Sequence, residues 1–183
     1  MSSEGLGQGV YYSETSYAGP VRRLLVEITD VICALGLSFG VSLSLIILFP
    51  DAEERLGTTI VVTLPLVWFG YFVGLKASPV PTVGYRLFGV KLVNLQGEPP
   101  GLMTHLARLL FSALGPFNLV LDLLWVWSDS YRQTLRDKLA YTYVVRRDAV
   151  PTGRGPIVFA HYSVLGWHLL CREVRTGTVN HAR

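Results

Sequence analysis

The chain has 183 residues, a length that suits one compact unit. Half of them are hydrophobic, mean hydropathy is +0.40 and only 16% are charged, against roughly 25% in a soluble domain. That balance speaks against an ordinary soluble domain. The net charge of +3 gives no case for nucleic acid, because basic residues at the ends of apolar segments set orientation in a membrane.

The opening residues, Met1 to Gly9, are polar and lack the basic and apolar regions of a cleavable leader. Residues 1–16 read as a flexible segment. A first transmembrane helix is predicted from Val21 to Phe49 after Pro20, a favourable first-turn residue. No charged side chain falls between Val31 and Phe49, a run of about 20 residues that matches the hydrocarbon thickness. A short acidic loop, Pro50 to Arg55, leads to a second span over Gly57–Leu75, where Pro65 predicts a kink. Lys76 to Gly84 is rich in Pro and Gly. Tyr85–Asn94, followed by a turn at Gln96-Gly97, predicts a surface strand or hairpin.

Leu102–Trp127 is apolar again but broken at Gly115-Pro116, and each half spans only about 19 Å of helix. A hairpin entering and leaving on one side of the membrane accounts for it best, the alternative being a first half that lies flat in the interface. Tyr141–Val145 reads as a strand. Residues 148–183 form an extension, with one amphipathic helix predicted over Ile157–Arg172 and His161, Trp167 and His168 suited to the interface. Lys and Arg flank the spans so that both termini fall in the cytoplasm and Asp51–Arg55 outside. The fold class expected is an all-α membrane protein of three to four transmembrane or re-entrant helices with a short cytoplasmic β-hairpin. A cell (inner) membrane location follows.

Charges within apolar segments carry the chemistry. Arg23, Glu27 and Asp30 share one helix face at i, i+4 and i+7, with Arg22 beside them. Asp30 falls inside the hydrocarbon edge, where a lone carboxylate costs about 2.5–3.5 kcal/mol. Either a cation pairs with it to fix packing, or it binds an ion or a proton, or it is itself protonated. Arg108 and Asp122 lie equally far from Gly115 and would face each other across the predicted hairpin. His105, three residues before Arg108, reads as a packing or interfacial residue. Trp68, Tyr71, Trp125, Trp127 and Tyr131 suit interfacial belts.

Catalytic signatures are missing. No Gly-rich phosphate loop follows a strand, and no Ser sits in a nucleophile elbow. His105, His161, His168 and His181 show no metal-ligand spacing, and Cys33 and Cys171 are too isolated for a disulfide framework or a metal site. Neither an enzyme nor a cofactor is expected.

Three ordered stretches resemble the RDD family. Tyr17-Ala18-Gly19-Pro20-Val21-Arg22-Arg23-Leu24, followed by Glu27-Ile28-Thr29-Asp30, is similar to its opening. Thr82-Val83-Gly84-Tyr85-Arg86-Leu87-Phe88-Gly89-Val90-Lys91-Leu92-Val93 resembles its middle signature, and Arg132-Gln133-Thr134-Leu135-Arg136-Asp137-Lys138-Leu139-Ala140-Tyr141-Thr142-Tyr143-Val144-Val145 its closing one. The likeness covers residues 17–147. It maps the name-giving Arg and two Asp onto Arg23 (or Arg22), Asp30 and Asp137, and implies contacts of Arg23 with Asp30 or Asp137. The chain departs from the pattern at Val80 and Tyr141, where Gly is usual, and at Tyr85, where Lys is common. The resemblance implies a multi-pass membrane protein whose partners are the lipid bilayer and other membrane subunits or further copies of itself. Two functions fit: a non-catalytic accessory, scaffold or assembly subunit, or a small cation/proton antiporter.

Overall fold

The computed structural model describes residues 6–49, 56–113, 122, 125–126, 129, 131–164 and 167–175. They belong to two compact units, one of residues 21–88 and one of residues 1–20 with 89–183.

The first unit is helical. Helix α1 (Pro20–Leu48) and helix α2 (Leu56–Phe69) include the segments long and apolar enough to cross a bilayer, Pro20–Leu48 and Gly57–Leu75. Only 17% and 22% of their apolar windows are buried, whereas a core helix of a globule would be mostly covered. What α1 does bury is a stripe at every fourth residue: Val26, Asp30, Ala34, Ser38 and Ser42. Its small members allow close backbone approach and supply hydroxyls. Ser42 meets Thr63 of α2 at 2.8 Å, and Asp30 meets Tyr71 beyond α2, so the two helices run antiparallel. Helix α2 continues through Pro65, and the distortion lies one turn later, where Gly70–Leu75 widens into π-helical turns. Gly70 and Gly74 have no Cβ to crowd that wider turn. The unit ends in the five-residue helix α3 (Val83–Leu87).

The second unit mixes strands and helices. Strand β1 (Gln8–Tyr11), strand β4 (Gly153–Val164) and strand β5 (Trp167–Val174) form an antiparallel sheet in the order β1-β4-β5. Strand β2 (Val90–Asn94) pairs antiparallel with strand β3 (Thr142–Arg146), setting Leu92 against Val144. Val10, Tyr17, Val93, Leu95, Tyr143, Val145, Ile157 and Val174 share the core between them. Helix α4 (Leu102–Ala113) and helix α5 (Leu135–Leu139) complete the unit.

Several expectations are corrected. The fold is not all-α, since the described residues contain five strands. Residues 8–11 are a paired strand within the segment read as flexible. The strand over the middle region begins only at Val90, because Thr82 caps α3 first, and its partner is the distant β3 and not a local hairpin arm. Over 157–172 two strands replace the amphipathic helix. Ile157 lies opposite Val174 and both are buried, while Phe159 opposite Arg172 is exposed; β-branched and aromatic residues favour that pleated surface. The turn at Gly115-Pro116 lies outside the described residues.

Candidate functional site

Asp30 lies about 15 Å along α1 and is fully buried. Its carboxylate is enclosed by the segment after α2. Oδ1 accepts from the Gly84 N–H at 2.8 Å and from the Tyr71 hydroxyl at 3.1 Å. Oδ2 accepts from the Thr82 hydroxyl at 2.9 Å and faces Lys76 Nζ at 3.3 Å. An ionised carboxylate offers about four acceptor positions, and this one is saturated. The local sequence explains how the donors converge. Thr82 is the N-cap of α3, so its oxygen faces the Tyr85 N–H while its proton goes to Asp30. Gly84 follows because nothing larger fits: a Cβ there would sit 2.5 Å from the Val26 carbonyl oxygen and 2.8 Å from Asp30 Oδ1. The cation comes from Lys76, which also lies 5.0 Å over the ring of Tyr85. Arg23 is half-buried two turns before Asp30, Glu27 is half-buried, and Arg22 is exposed.

Asp137, also fully buried, repeats the theme in the other unit. Thr134 caps α5 by accepting from the Asp137 N–H at 3.0 Å, while Asp137 Oδ2 accepts from the Thr134 N–H at 3.2 Å. This is a reciprocal capping box. The other oxygen takes the Arg108 guanidinium, which also donates to Thr142 Oγ1 at 2.8 Å. Arg108 and Asp122 are both buried, but their ion pairs are exchanged relative to the expected one. Asp122 pairs with Arg136 of α5 at 3.4 Å and accepts its backbone N–H. Two neighbouring residues of α5 thus take the two charges that were expected to meet each other.

A third buried charge cluster was missed. Lys138 is fully buried, its ammonium 2.6 Å from Asp129 and in contact with Glu173, and it donates to Tyr162 at 2.9 Å. Burial opposes its charge, yet Asp129 and Glu173 outweigh that and hold its pKa above the ordinary value. Its partners come from 129, 162 and 173, so no local spacing announces them. Tyr71 and Tyr131, read as suited to interfacial belts, have partners within the protein. Tyr71 binds Asp30, and Tyr131 packs edge-on against Tyr17 and donates to the Val174 carbonyl. His105 is buried on α4. Among the described residues no group of three or more His, Cys, Asp or Glu is placed to hold a metal ion.

Both aspartates therefore engage the first turn of a five-residue helix and its capping threonine, Asp30 from α1 and Asp137 from within α5, and each is matched by one cation. These two turns, Thr82–Gly84 and Thr134–Asp137, lie within the middle and closing stretches. No curated protein and no solved structure matches the chain significantly. The family model described as the RDD family matches residues 17–141, a range that holds both carboxylates and their caps. Its two apolar helices fit a membrane protein, and the chain belongs to the RDD family.

Proposed function

We propose that this protein is a multi-pass, non-catalytic accessory or scaffold subunit of a larger assembly in the cell membrane, with both termini cytoplasmic. The observation that carries the proposal is the saturated Asp30. Four protein donors, one of them a cation, occupy its oxygens, so it behaves as a staple and leaves no lone pair for a passing ion. Lipid solvation of the two apolar helices is supported by how little of them the protein covers.

Membrane depth follows from the same contact. The second span, Gly57–Leu75, is 19 residues, or about 28 Å, and ends at the lysine that pairs with Asp30. Asp30 therefore marks the same boundary on α1, leaving about 27 Å of helix to Leu48. Both lengths match the hydrocarbon core. The ion pair lies at the membrane edge, where it costs far less than at the midplane.

Purification in mild detergent tests the role: stoichiometric foreign subunits are expected, and a homo-oligomer alone would count against it. The antiporter alternative draws on the buried Asp30–Lys76 pair, whose protonation would release the lysine. Cation-dependent proton flux in reconstituted vesicles, lost in Asp30→Asn, would favour that alternative; no flux in the wild type would end it.

A further inference from the structure

The face of Gly84 on α3 is spent on α1, but other residues of this segment have no protein over them. Val80 is 54% exposed, Val83 48% and Leu87 69%. Val83 and Leu87 are one turn apart and share a side of α3. Arg86 is exposed beside them. On α1, Val21 and Arg22 are also exposed, about one turn before Val26, whose carbonyl faces Gly84. All these residues belong to the unit of residues 21–88. The positive charge of Lys76 is taken up by Asp30, and Arg23 and Glu27 oppose each other in sign. The arginines at 22 and 86 are left as exposed positive charge, Arg86 in the same short helix as the exposed Val83 and Leu87 and Arg22 beside the exposed Val21 in sequence.

We propose that residues 80–87 form an interfacial foot that binds anionic phospholipid at the leaflet where α1 begins. Val80, Val83 and Leu87 enter the acyl boundary, while Arg86 and Arg22 hold lipid phosphates. The inference rests on the membrane reading of α1 and α2, because the Asp30 clamp fixes α3 at the level where the second span ends. Two observations select the partner. A row of aliphatic side chains beside arginines suits the boundary between tails and headgroups, and exposed positive charge at that depth is complementary to anionic headgroups.

The full chain, carrying Cys33→Ala and the natural buried Cys171, would be reconstituted into vesicles of phosphatidylcholine with or without phosphatidylglycerol. An environment-sensitive dye would be attached at Leu87→Cys and, separately, at Phe39→Cys, which lies on the exposed face of α1. Quenching at 87 by headgroup-level nitroxide lipids, and at 39 by mid-chain nitroxides, is the result expected. Water-like emission at 87 with lipid-like emission at 39 overturns the foot and leaves the membrane reading intact. Water-like emission at both overturns the membrane reading and the foot with it. Phosphatidylglycerol should also bind the chain more tightly than its Arg22→Gln and Arg86→Gln variants, by about fivefold for each charge removed. Equal retention in wild type and both variants overturns the phosphate contacts.

Discussion

Single residues decide how the two caps hold. Asp30→Asn removes the counter-charge of a buried lysine, and a broken buried pair costs about 3–5 kcal/mol. A large fall in melting temperature in detergent is expected, and adding Lys76→Met should restore part of it, because the orphaned ammonium disappears. If the double variant melts no higher than the single one, the two groups are not coupled. Gly84→Ala should cost about 1–3 kcal/mol, since the new methyl group meets a backbone carbonyl that cannot rotate away; an unchanged melting temperature would count against the close approach. Tyr141 has a φ of 53°, the left-handed region that glycine occupies without strain. The family resemblance places glycine at that position, and here the backbone keeps the conformation while tyrosine supplies a ring under Arg172, 5.2 Å away. Replacing the ring by Ala or by Gly loses the same contact, but only Ala keeps the strain. Tyr141→Gly should therefore be more stable than Tyr141→Ala by about 1 kcal/mol, which paired thermal melts would resolve.

At the level of elements, length and composition were the most legible signals. Helix α1 runs within one residue of the expected span, and the second span keeps its predicted ends. Strand β3 was visible as Tyr141–Val145 because β-branched and aromatic residues cluster there. The C-terminal strands were not visible. Their alternation is blurred, since Ile157 and Phe159 lie on one side of β4 yet only the first is covered. Lys138 ties α5 to β4 and β5, and the charge of that lysine sets a pH dependence. Its folded pKa is raised above 10.5, the ordinary lysine value. The stabilisation is thus full below about pH 10.5 and lost as pH rises through the higher folded value. Melting temperature should hold steady up to that point and then fall, and Lys138→Met should flatten the fall. A wild-type profile no steeper than that of the variant would remove the cluster as its cause.

For the whole molecule, the family match ends at residue 141, but the fold does not. Ile157 and Val174 are core residues, and Tyr162 and Glu173 are partners of Lys138. Truncation after Asp148 should leave a buried lysine without two of its partners and open the core, so rapid proteolysis of the shortened chain is expected. A truncated chain as protease-resistant as the full one would show the extension to be dispensable. The sequence alone determined that two segments suit lipid and that their embedded charges must be satisfied, because apolar length and desolvation cost are properties of the segment itself. Which cation meets which carboxylate was decided only by tertiary structure. Lys76 reaches Asp30, and Arg108 reaches Asp137 in place of Asp122, because pairing depends on where short capped helices place their first turns. That placement is fixed by contacts between residues tens of positions apart.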